Sequence, residues 1–228
     1  MTDLEARVVA CERCPDLRAY CARIAAEKKR AHRDEPYWGR PVPAFGTFDA
    51  RVALVGLAPG AHGSNRTGRM FTGDASGVWL YRALYRAGFA NQPFQRDRND
   101  GLELRDAFIT AALRCAPPGN KPTPEQRRNC FPYLVEEIGG LTNLRVVVGL
   151  GLIGTQAAEA ALGAAGFRFE RRHAFAHGAE SRAVAGSHAV VLLSSYHPSR
   201  QNTNTGVLTE AMLDAVFGRV RSLLESEI

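Results

Sequence analysis

Short β-type runs alternate along this chain with stretches of helical character, and that alternation narrows the available folds more than any other feature. The runs are Arg51 to Gly56, Asp106 to Leu113, Leu144 to Leu150 and Ala189 to Tyr196. Helices are predicted at Leu17 to His32, Ser76 to Gly88, Thr123 to Ile138, Gly151 to Leu162 and Val207 to Leu224. Near-continuous apolar strands belong inside a parallel sheet with helices on both faces. The third helix is the best signalled, because Thr123 can cap it, Pro124 fits its first turn and Gln126 completes a capping-box spacing. No repeat or low-complexity linker breaks the chain, and 228 residues with 45% hydrophobic content suffice for one well-buried core. A single domain over residues 1–228 is therefore expected.

Lys and Arg outnumber Asp and Glu by 29 to 23, with a pI near 9.3, which suggests an anionic partner without identifying it. Met1 to Arg7 carries Asp3 and Glu5 and leads into no apolar core of signal-peptide length. The apolar runs Arg145 to Ile153 and Ala189 to Leu193 fall far short of the ~18 residues of a membrane span. A soluble, cytoplasmic protein is expected. In such a reducing compartment five cysteines favour metal or cluster ligation over disulfides, and an odd count leaves one spare.

Cys11 and Cys14 form a CxxC pair, whose two sulfurs one tight turn can offer to one metal centre. Cys115 and Cys130 have fourteen residues between them, on a predicted strand end and the helix that follows. That wide second spacing favours a four-iron cluster over zinc, while the plainer alternative makes Cys115 and Cys130 buried small hydrophobes. Cys21 is the expected spare, packed in the core.

Two loops can carry chemistry. Gly56-Leu57-Ala58-Pro59-Gly60 follows a strand and runs into the glycine-rich stretch up to Asp74, offering backbone N–H groups and close approach to a ligand. It lacks the GxxxxGK[ST] order of a P-loop. Within it Arg66 and Arg69 are either solvated charges or phosphate contacts, Phe71 is core or a face for a base, and Asp74 is a helix cap or a functional carboxylate. The second loop, Tyr196 to Gly206, includes His197-Pro198-Ser199-Arg200 and Asn204 at the carboxyl end of the last strand, where open α/β sheets hold their sites.

Taken together, Gly56 to Gly60, Arg66 to Asp74, the four cysteines and His197 to Gly206 resemble the uracil-DNA glycosylase superfamily, and within it family 5, the type B enzymes of bacteria and archaea. The resemblance implies a three-layer α/β sandwich with a central four-stranded parallel sheet flanked by helices. It also implies a structural [4Fe-4S] cluster on Cys11, Cys14, Cys115 and Cys130, and hydrolysis of uracil, with hypoxanthine and xanthine as further bases, from DNA by a monomer. Other families position water with an Asp, Asn or Glu in the first motif, where this chain has Leu57 and Ala58, so the task passes to Asp74. Thr110-Ala111 stands where family 4 has an asparagine that reads the pyrimidine edge, which fits a roomier pocket in which Asn120 takes over part of the recognition. In this reading Asp74 and His197 are catalytic. Gly56, Ala58, Pro59, Phe71, Asn120 and Asn204 bind the base, and Arg66, Arg69, Ser199 and Arg200 contact DNA phosphates.

Overall fold

The computed structural model describes residues 2–226 and orders them around one sheet. Its elements are α1 (Asp3–Val9), α2 (Pro15–Glu27), β1 (Phe45–Gly46), β2 (Val52–Gly56), α3 (Ser64–Thr67), α4 (Ala75–Arg86), β3 (Ala107–Ala111) and α5 (Pro124–Gly140). The second half adds β4 (Val146–Leu150), α6 (Gly151–Ala164), β5 (Arg168–Phe169), β6 (Glu180–Ala185), β7 (His188–Ser195), α7 (Arg200–Asn204) and α8 (Glu210–Glu225). The strand order is β1-β3-β2-β4-β7-β6-β5. The four central strands, β3, β2, β4 and β7, are parallel, and they are the four runs read in the sequence.

The expected four-stranded sheet is thus the middle of a larger, mixed one. Antiparallel β1 lies against β3 at one margin, and the β6–β5 ribbon lies against β7 at the other. β1 and β5 are two residues each, too short to show a period of two. The predicted helix from Leu17 to His32 stops at Glu27, because Lys28 turns into a left-handed conformation (φ 53°) and breaks the ladder before a 3-10 turn at Arg30–His32. The last helix starts later than predicted, at Glu210, because the Thr209 hydroxyl accepts from the Met212 N–H at 3.2 Å and caps it there. The capping box of Thr123 and Gln126 is present with Pro124 in the first turn.

Two apolar cores flank the sheet. On one face α4 and α8 cover Leu54, Ile109, Val148 and Leu193; on the other α5 and α6 cover Val55, Phe108, Val147 and Leu192. Every residue of β2, β3 and β4 is buried, and a fully buried Val or Leu side chain is worth about 1.5–3 kcal/mol. Between sheet and α5 sits a polar exception: Thr110 donates to Glu137 at 2.6 Å, and the Arg114 guanidinium bonds both. Thr110 is therefore turned into the protein, while its neighbour Ala111 lies on the opposite face beside Phe71. The order in which the strands are connected reverses between the parallel neighbours β2 and β4, and the loops after β2 and β7 leave the same carboxyl edge with β4 between them.

Candidate active site

The loop after β2 folds back on itself through α3 and returns to the sheet at Phe71. Phe71 has a positive φ of 51°, an uncommon conformation for a bulky residue, and its ring lies directly over Gly56, where an added Cβ would stand 2.8 Å from Cζ. The same ring stacks on His197 from the loop after β7, with centroids 5.8 Å apart and planes inclined by 29°. Glycine at 56 is required because any side chain there would displace the ring that joins the two loops.

Three residues beyond Phe71, Asp74 begins α4. One carboxylate oxygen accepts from the Gly77 N–H at 3.0 Å, so Asp74 is the cap that the sequence allows. Its other oxygen faces Gly60 and Gly63; a Cβ on Gly60 would sit 2.9 Å from it, and one on Gly63 would overlap it. Burial raises the Asp74 carboxyl above its ordinary value, against the opposing effect of the Gly77 and Ser76 amides and the Arg66 and Arg200 charges.

His197 is fixed through its main chain. Its carbonyl accepts from the Ser199 N–H at 2.8 Å and from Asn202 Nδ2 at 2.9 Å, and Gly151 lies against its Cβ. Among the described residues no protein group hydrogen-bonds the ring nitrogens. Burial lowers the imidazole to about 4, so at neutral pH it is an uncharged ring with one N–H to donate.

Arg66 and Arg69 correct the sequence reading. Both are buried, at 8% and 5% exposure, and their guanidinium groups are spent inside the protein. Arg66 bonds the His62 carbonyl at 2.9 Å, the Gly73 carbonyl at 2.9 Å and the Glu35 carboxylate. Arg69 bonds Thr72 at 2.9 Å and grips Asp100 with two nitrogens at 2.8 and 2.7 Å. They shape the Asp74 loop and offer nothing to a phosphate. Arg200 is exposed, whereas the Ser199 hydroxyl caps α7 by accepting from Asn202 N–H at 3.3 Å.

Gly56, Phe71 and His197 are thus in contact, and Asp74 follows Phe71 on the same loop with its free oxygen facing Gly60 and Gly63. Pro59 is buried in the same loop, and Ala58 packs against the cysteine-rich core. Asn120, on the turn Pro118–Asn120, and Asn204, at the end of α7, are both exposed and make no side-chain hydrogen bond to this group. Sequence reasoning misses Asn202, which holds His197, and Gln95, whose side chain accepts from the Gly73 N–H at 2.5 Å and donates to the Asp74 carbonyl at 3.3 Å. Asn202 lies within the polar run of the second loop, a signal that could have found it; Gln95 carries none. A cavity of about 420 Å3 lies elsewhere, beneath β6 and α8.

Cys11, Cys14, Cys115 and Cys130 come from separate segments to line one small void with Arg13, Arg18 and Arg114. Asn129 Nδ2 donates to the Cys14 sulfur at 3.5 Å. Arg114 Nε is buried without a partner on the wall of this void, so a donor is left over for an anionic occupant. Burial pushes the Cys130 thiol up, which leaves it protonated unless a positive centre takes the proton's place. Among the described residues no three candidate ligands close on a single metal ion. Cys21, wholly buried, donates to the Ala116 carbonyl at 3.6 Å and stays outside the void.

A family model described as the uracil DNA glycosylase superfamily matches residues 43–221. A type-5 uracil-DNA glycosylase of Thermus thermophilus is 50% identical over 216 residues, covering 95% of this chain and 94% of that protein. One of Mycobacterium tuberculosis is 47% identical over 222 residues, covering 97% of this chain and 81% of the relative. A type-4 uracil-DNA glycosylase of Pyrobaculum aerophilum is 37% identical over 122 residues, about half of each chain, at 53% and 54%.

Proposed function

The chain belongs to the uracil DNA glycosylase superfamily, and from that membership we propose that it initiates base-excision repair by hydrolysing the N-glycosidic bond of uracil in DNA. The observation that supports the reading is the stacking of Phe71, from the loop that also carries Asp74, on His197 from the loop after β7.

A base inside a duplex is out of reach, so the nucleotide rotates out of the stack at a cost of a few kcal/mol. Gly56, Pro59 and Phe71 form the apolar wall that receives it. As the bond breaks, the sugar becomes cationic and the departing uracil anionic. Asp74, ionised, favours the sugar cation and orients the attacking water on the oxygen that faces Gly60 and Gly63. His197 donates an N–H to the developing uracil oxyanion, and being neutral it does so without first needing a proton. Arg200 takes a phosphate of the substrate strand. The absence of a side-chain reader at Thr110 and Ala111 supports acceptance of hypoxanthine and xanthine beside uracil, with Asn120 and Asn204 as loop contacts to the base.

Four thiols that line one void without closing on a single ion, together with the surplus Arg114 donor, support a [4Fe-4S] cluster over one zinc ion. Cys11, Cys14, Cys115 and Cys130 would hold the cluster, which would supply a structural tie between the start of α2, the segment after β3 and α5, while Asp74 and His197 carry the reaction. Ala58 and Ala61 pack on that cysteine core, so the loop around Asp74 rests on it. The chain acts as one domain and a monomer in the cytoplasm; no helix is long and apolar enough to cross a membrane among the described residues.

Incubation with oligonucleotides bearing uracil, hypoxanthine or xanthine, followed by alkali, tests the proposal. Alkali-labile breaks at uracil are expected from the parent protein; intact strands after incubation with a folded, iron-loaded preparation would refute it.

A further inference from the structure

The loop between α4 and β3 has no role in the mechanism above, yet it is bolted to the site. Gln95 bonds the backbone of Gly73 and Asp74, and Asp100 is held by Arg69. Around these inward anchors the chain sends Phe94, just before Gln95, and Arg96 and Arg98, between Gln95 and Asp100, outward. Phe94 is 53% exposed, the largest exposure among the big hydrophobic side chains of the described residues. The Arg96 guanidinium stands over its ring at 5.8 Å.

Beside this row Arg98 and Arg40 stack on Trp38, at 4.5 and 4.2 Å from the ring centroid. Trp38 is pinned to the Asp74 loop, its main-chain N–H donating to the Arg66 carbonyl at 2.8 Å and its ring lying on Gly68. Among the described residues no carboxylate lies within ion-pair distance of Arg40, Arg96 or Arg98. An anchored loop thus displays a half-exposed aromatic ring next to three cations that have no ion-pair partner among the described residues. Aromatic faces for bases and free guanidinium edges for phosphates are the two elements that grip a nucleic-acid strand without reading its sequence.

We propose that this surface binds the DNA strand that flanks the extruded nucleotide, Phe94 stacking on a neighbouring base while Arg96, Arg98 and Arg40 take its phosphates. The assignment rests on DNA as the substrate. It also supplies the phosphate-binding groups that buried Arg66 and Arg69 do not.

The test is fluorescence anisotropy of the full-length protein with an undamaged, labelled single-stranded oligonucleotide across a salt series. Phe94→Ala is expected to weaken Kd about ten-fold, and Phe94→Trp to restore it. The double variant Arg96→Ala with Arg98→Ala should lower the salt slope of log Kd by about 1.4, roughly 0.7 for each phosphate of a single strand that is no longer neutralised. All three side chains are exposed, so melting temperatures should stay near the parent value. Parental Kd and slope in every variant would overturn the assignment, and so would a Phe94→Ala effect confined to self-association. Uracil excision by the parent separates the two readings. Excision with silent loop variants defeats this surface alone, whereas loop-dependent binding without excision defeats the glycosylase reading and leaves the surface standing.

Discussion

Replacing Arg69 by Met strips the cation from a pair in which Arg69 is 5% and Asp100 4% exposed. Asp100 keeps only the N–H groups of Arg96 and Leu102, at 2.7 and 3.0 Å, and becomes a buried charge without a counterion. Breaking a buried pair from one side costs about 3–5 kcal/mol. At roughly 2–4 °C per kcal/mol for a domain of this size, Arg69→Met should melt about 10 °C below the parent. Burial works to raise the Asp100 carboxyl, but the Arg69 hydrogen bonds and those amides outweigh it and hold the group at about 2. A depressed carboxylate stabilises the fold above its unfolded value near 4, and that contribution disappears as pH falls through about 2. The gap between parent and variant should therefore stay constant through neutral pH and narrow only in strong acid, which calorimetry at several pH values measures. An unchanged melting temperature, paired with a single-strand salt slope reduced by about 0.7, would return Arg69 to the surface and refute the reasoning.

Asp74→Asn keeps the helix cap, since Asn caps as well as Asp, and should lower single-turnover excision by about 10²–10⁴-fold with DNA binding retained; full activity in the folded variant would remove Asp74 from the mechanism. Because burial raises Asp74 and its ionised form is the active one, the parent rate should climb with pH through that elevated value. His197, held at about 4, is uncharged at neutral pH. His197→Ala should slow excision about 10²–10³-fold at that pH, and an unchanged single-turnover rate would reassign it. Cys130→Ala should lose the brown visible absorption and fold in lower yield; a colourless parent containing zinc by metal analysis would overturn the cluster.

The legible parts of this molecule are those written over a few neighbouring residues. The four parallel strands are unbroken apolar runs, Gly56 and His197 lie on or just beyond two of them, and Phe71 and Asp74 lie in the glycine-rich loop that follows the first. Arg66 and Arg69 defeat a local reading because their partners Glu35 and Asp100 each lie 31 residues away in loops without periodicity. No local pattern announces that a cation in a glycine-rich loop will turn inward to meet them. Gln95 escapes for the same reason. Asp74 shows that the alternatives open to one residue need not exclude each other: one oxygen caps α4 while the other faces the Gly60–Gly63 loop.

The taper of the sheet has its own consequence. It ends on either side in a strand of only two residues, β1 and β5, so an extended segment from another molecule finds almost no ladder to extend. The wide, sticky central strands are fenced off at both borders, which protects a partly opened molecule from zipping into aggregates.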